Sequence, residues 1–133
     1  MISTYWLNKA LDDILASDSL YVGLSSSGAT SSGTGYKEPN GGNYARVKIN
    51  GFSASSNCVA RNKAEIVFPV SMERWFSADN MATHWLIFDG NTSQSNLLAC
   101  GELEVPREIP AGIITTIPKG AIAVTLADIS DMS

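Results

Sequence analysis

Hydrophobic positions change their period once along the chain, after about the first twenty residues. Leu7, Ala10, Leu11, Ile14 and Leu15 recur at i, i+3, i+4, i+7 and i+8, the spacing that lays one apolar stripe along a surface helix. Ser3 or Thr4 can cap it, Asp12 and Asp13 fall off the stripe, and Ser17-Asp18-Ser19 closes it, which predicts a helix over about residues 4–16. One amphipathic helix needs a surface to pack on, either the sheet that follows or a neighbouring subunit.

Beyond the helix the pattern is that of short strands. Leu20–Leu24 is an apolar run suited to a buried strand. Ala45-Arg46-Val47-Lys48-Ile49 alternates strictly, which puts Arg46 and Lys48 on a solvated face. Ala64–Phe68 ends at Pro69, which withholds a ladder donor. Thr83–Phe88, with Trp85 as a large core side chain, stops at the turn signal Asp89-Gly90. Leu97–Val105 then resumes, with Glu102 and Glu104 on one face and Leu103 and Val105 on the other. Ile113–Ile117 and Ala121–Leu126 flank Pro118-Lys119-Gly120, and Met72–Phe76 reads as a turn or one helical turn. The fold class predicted is mainly β: an antiparallel β-sandwich or jelly roll of about seven or eight strands with one N-terminal amphipathic helix.

One connection stands apart. Ser25 to Gly35 are all Ser, Gly, Ala or Thr, and the polar run continues to Asn43. So long a connection without an apolar anchor is uncommon inside a compact domain. Its composition is that of a flexible linker over about residues 25–43, or of an arm that orders only against a partner. Residues 1–133 otherwise read as one β-sandwich domain, without a repeat or a βαβ rhythm.

Composition narrows the function classes. The chain has 133 residues, 44% of them hydrophobic and 17% charged, enough to bury a core without metal or disulfide staples. Its net charge is −4, whereas a nucleic-acid binder shows a basic stripe. The closest basic groupings, Arg46 with Lys48 and Arg61 with Lys63, read as solvated strand faces, and no nucleic-acid partner is expected. No run approaches a membrane span, and the start, MISTYWLNKALDDIL, lacks the basic region of a signal peptide. Cys58 and Cys100 are expected as buried thiols, with a disulfide the alternative.

The catalytic inventory is thin. His84 could act as a base or metal ligand, but no second histidine accompanies it, and packing explains it more simply. Glu102 and Glu104 could form an acid/base pair, though an alternating pair usually marks a solvent side or an interface with a basic partner. Asn91-Thr92-Ser93 matches a glycosylation sequon by chance. The sequence predicts no catalytic, metal or cofactor-binding residues, and no enzyme.

Five fragments in order carry a resemblance. They are Asn8–Leu15 leading into Leu20–Ser25, then Glu38-Pro39-Asn40-Gly41-Gly42-Asn43-Tyr44-Ala45-Arg46-Val47, Ala64–Pro69, Thr83–Asp89 and Asn96–Leu103. The second resembles an "EP-GG-YARV" turn and strand of small tail-fibre or virion structural proteins of tailed bacteriophages. The hairpin tip Asn91–Ser95 and the Ser-rich first loop depart from that pattern. The resemblance implies a non-enzymatic virion protein, assembled in the bacterial host cytoplasm. A capsid cement or decoration role stabilising the shell is the first expectation, and a tail-fibre or baseplate subunit the second. The implied partners are the major capsid protein or tail and baseplate proteins, and a second or third copy of the chain in a dimer or trimer. A different class is a carbohydrate-binding module that stacks sugars on Tyr36, Tyr44, Trp75 and Phe76. For Trp75 and Phe76 the competing reading is a place in the core.

Overall fold

The computed structural model describes residues 1–126. Helix α1 (Thr4–Leu15) starts where the Ser3 hydroxyl accepts the Trp6 N–H at 3.2 Å, which satisfies one of the orphan donors of a first turn. Leu11 and Leu15 are buried beneath it and Leu7 is half-buried, each full burial stabilising by about 1.5–3 kcal/mol. Ile14, which the stripe placed in the same contact, is 53% exposed. The reason is polar. Asn8 Oδ1 accepts the Cys58 N–H at 2.8 Å, the Asn8 carbonyl accepts the Ser55 hydroxyl at 3.0 Å, and Asp12 accepts the Ser55 N–H at 2.8 Å. These ties pull one flank of the helix onto the body and leave the flank carrying Ile14 outside.

Among the described residues eight strands follow: β1 (Tyr21–Ser25), β2 (Val47–Lys48), β3 (Val59–Arg61), β4 (Ile66–Val67), β5 (Ala82–Phe88), β6 (Leu97–Arg107), β7 (Thr116–Ile117) and β8 (Ala123–Thr125). They form a four-stranded sheet in the order β2-β1-β5-β6 and two ribbons, β3–β8 and β4–β7, all antiparallel. The protein is therefore mainly β with one helix. Most strands are shorter than the apolar runs that announced them, because pairing partners end before the runs do. β3 was not foreseen. It follows a two-residue turn in which Asn57 and Cys58 both have positive φ (53° and 63°) between the bridged Ser56 and Val59, a hairpin geometry usually marked by Asn-Gly. Met72–Phe76 is neither a helical turn nor a simple reversal: Phe76 bridges to Ile109.

One buried cluster joins Leu11 and Leu15 of α1, Val22 and Leu24 of β1, Trp85 and Ile87 of β5, Ile66 of β4 with the adjacent Phe68, and Ile117 of β7. The indole of Trp85 crosses over Gly101, its cross-strand partner on β6. A Cβ at Gly101 would lie 2.2 Å from Trp85 Cζ2, so glycine is what lets the ring lie flat there. Buried Asn62 ties the ribbons together: its Nδ2 donates to the Ala64 and Pro118 carbonyls, and its Oδ1 accepts the Ile122 N–H.

Strand alternation turns Tyr21, Gly23 and Ser25 of β1, with His84, Leu86 and Phe88 of β5, toward the opposite face. The Ser/Gly-rich connection covers that face. Its composition promised no anchor, yet Ser26 N–H donates to the Lys37 carbonyl at 3.1 Å and Lys37 N–H to Ser25 Oγ at 2.8 Å. Tyr36 sets its ring edge-on to Phe88, centroids 5.5 Å apart, and Gly28 lies against the His84 ring. Hydroxyl groups at its base, and one aromatic ring, do the anchoring that aliphatic side chains do elsewhere.

Candidate functional site

The most connected polar cluster of the molecule lies where this connection meets β1. Glu38 and Arg46 form an ion pair, Nη2 to Oε1 at 2.7 Å, with side chains only 13% and 10% exposed. Arg46 Nε completes the fork onto Oε2 at 3.1 Å, and Nη1 donates to the Thr92 carbonyl at 2.9 Å. The guanidinium stacks on the Phe88 ring, 3.4 Å from its centroid, a contact that suits a planar cation. The Tyr44 hydroxyl donates to Glu38 Oε2 at 2.5 Å and accepts the Leu24 N–H at 3.0 Å. Burial, then the charge and hydrogen bond of Glu38, hold the Tyr44 phenol far above the usual tyrosine range, so it stays a donor.

Two local features make room for this cluster. Gly23 lacks the Cβ that would lie 2.6 Å from Glu38 Oε2 and 2.8 Å from the Tyr44 hydroxyl. Gly41, Gly42 and Asn43 all have positive φ (88°, 61° and 70°) and reverse the chain between Glu38 and Tyr44. The Gly42 carbonyl is then placed to accept Trp75 Nε1 at 2.8 Å. Along the β2 side of β1, Ile49 N–H donates to the Leu20 carbonyl, Val22 pairs with Val47, Leu24 N–H meets Tyr44, and Ser26 N–H meets Lys37. The backbone groups on that side of β1 are thereby taken up beyond the short pairing with β2.

The other candidate residues separate into distinct places. Arg46, expected on a solvated face, is largely covered together with its partner, a correction with a clear cause: Glu38 comes from eight residues away to meet it. Lys48, Arg61 and Lys63 are exposed, as read, although Arg61 donates to the Gly120 carbonyl. His84 and Glu102 are cross-strand partners on β5 and β6 and line one open groove with Ser26 and Ser27. His84 Nδ1 shares its hydrogen bond with the adjacent Thr83 hydroxyl at 2.7 Å, not with a serine or a carboxylate. Trp75 and Phe76 are core residues, Tyr44 stacks on Phe68, and Tyr36 lies on Phe88, so the four aromatics proposed to hold a sugar serve packing instead. Cys58 and Cys100 are both free thiols, half-buried. Among the described residues no group of three or more His, Cys, Asp or Glu could hold a metal, and no helix is long and apolar enough to cross a membrane.

The residues Glu38, Gly41, Gly42, Tyr44 and Arg46, which the sequence offered as a turn and strand, are thus one interacting unit. The family model described as Podophage GP4 fiber I protein gp80 matches residues 1–125, a span that includes this unit, the helix and all eight strands. The chain belongs to the podophage fiber I protein family. No curated protein matches it. Membership makes the chain a fibre-like structural component of a tailed-phage virion and supports its association with other virion proteins.

A member of the fiber I protein family meets its neighbours through exposed surface, and two features were not foreseen in the sequence. Tyr5 and Trp6, 75% and 64% exposed, stand on the first turn of α1 in company with Ile14. The second is strand β6, whose eleven residues form the far edge of the large sheet. Glu102, Glu104 and Pro106 stand along it, and its register with β5 shifts between Ala82 and His84. Charges, proline and bulges are the devices that keep an edge from pairing indiscriminately. A helix period alone could have flagged Trp6, which lies off the buried stripe.

Proposed function

We propose that the protein is a non-enzymatic building subunit of the phage fibre. The observation that carries this is the match to a fiber I protein family across residues 1–125, which covers the whole described fold and not a fragment of it. The side chains support a structural role: the most elaborate polar cluster is spent on pinning a connection to a sheet, and His84 is bonded to its own neighbour. The two ribbons form a second layer against the large sheet, which supports a sandwich-like description of the architecture. The capsid-cement role has no comparable observation behind it, so the fibre reading takes precedence over it. Partners are then tail or fibre-attachment proteins and further copies of this chain.

The test is co-sedimentation of labelled protein with purified tails, and separately with heads, from particles lacking it. Saturable binding to tails supports the fibre reading. Saturable binding to heads alone, with shells more resistant to heat, overturns it in favour of a cement protein.

A further inference from the structure

The open flank of α1 has a pattern that suits one occupant. Trp6, Ala10 and Ile14 are spaced by four residues, so successive members lie only about 40° apart and form a continuous strip beside the buried seam. The opposite flank is committed, with Asn8 and Asp12 bonded to the turn at Ser55–Cys58. On the strip Trp6 and Ile14 are exposed and Ala10, midway between them, is half-buried. We propose that this strip is the seam of a homodimer, in which α1 of a second copy packs antiparallel across a two-fold axis at Ala10.

The geometry is self-complementary, as a two-fold contact requires. An axis at Ala10 sets each Trp6 against Ile14 of the second copy, at equal distances on either side. The small side chain at the crossing lets the helices approach to about 8–10 Å. The charges agree as well. Exposed Lys9 and Asp13 border the strip, neither makes an ion pair among the described residues, and the antiparallel arrangement places each Lys9 beside Asp13 of the second copy. Helix α1 has no acid in its first turn and no base in its last. Asp13 near its C-terminal end is therefore unfavourable in a single chain. The second copy supplies both the lysine and an opposed helix dipole at that place. This inference does not depend on where in the particle the protein sits.

Sedimentation velocity on the full chain across a concentration series is the test, with circular dichroism on each variant as a check that the fold is kept. The expected species has twice the 14.2 kDa chain mass. Trp6→Ala, made twice over by the symmetry, raises Kd on the order of 100-fold, and Ala10→Glu does at least as much. Lys9→Asp and Asp13→Lys each weaken the dimer by about tenfold, and the double variant recovers most of the loss. A chain that stays monomeric overturns the proposal, as does a dimer indifferent to these folded variants or a charge swap without recovery. A monomer that still co-sediments with tails would remove the dimer and leave the fibre reading standing.

Discussion

Glu38 is the residue on which the covering of the second sheet face depends, and its removal gives the most informative perturbation. In Glu38→Ala the Arg46 guanidinium, 10% exposed, loses both bonds of its fork while keeping the Thr92 carbonyl and the Phe88 ring. The Tyr44 hydroxyl loses its acceptor but still holds the Leu24 N–H. Breaking a buried pair by removing one partner costs about 3–5 kcal/mol. The retained Thr92 and Phe88 contacts place this case near the lower end, at about 3 kcal/mol. Replacing both members with apolar side chains of similar size, Glu38→Leu with Arg46→Met, leaves no orphaned charge and is expected to cost less than Glu38→Ala alone. Urea unfolding gives the free energies, and hydrogen exchange at the Ser26 and Lys37 amides reports the connection itself, since both lie at its base. Both amides should exchange faster in Glu38→Ala. A loss below about 1 kcal/mol, with unchanged exchange at these amides, would mean that Glu38 does not tie the connection down.

Three other outcomes follow from local geometry. Gly101→Ala forces a Cβ to within 2.2 Å of the Trp85 ring and should cost about 1–3 kcal/mol by overpacking, seen as a lower urea midpoint with altered Trp fluorescence. Thr115 Oγ1 is buried without a partner among the described residues, so Thr115→Val should stabilise by about 1 kcal/mol, read from a higher Tm. At the β5–β6 tip the Asn96 side chain and backbone N–H both donate to the Asp89 carboxylate and hold its pKa below the usual value. A depressed folded pKa gives stability that is present above the unfolded value, about 3.9, and is lost as pH falls through the folded one. The Asn96 amide resonance should shift only below that range, and Asp89→Asn should abolish the shift.

The sequence showed most where periodicity was long. Helix α1 and strands β5 and β6 follow directly from apolar spacing, and Trp85 is buried where its strand predicted. Short strands were harder, because β2, β4 and β7 have only two paired residues each and such pairing depends on partners distant in the chain. The anchors of the 25–43 connection left no trace in the hydrophobic pattern, because they are serine hydroxyls, backbone groups and one tyrosine ring. Arg46 misled because alternation was right about the strand and silent about Glu38. The fragment Glu38–Val47 was legible as a family resemblance before its physics was: its charged and aromatic members prove to be the ion pair and its phenol. Ile14 and Trp6 show the limit of a helical stripe, which identifies an apolar arc without saying how much of it one chain can cover.

Whether this fold is a fibre subunit is decided by locating the protein on the intact particle. A short epitope inserted among the exposed residues Asn91–Gln94 of the hairpin tip leaves α1, the core and the Thr92–Arg46 bond to be checked by melting before particles are assembled. Gold-labelled antibody is then imaged on negatively stained virions. A fibre subunit gives label on fibres at the tail, at the same position on every particle. Label distributed over the capsid shell, with the tail bare, would contradict it.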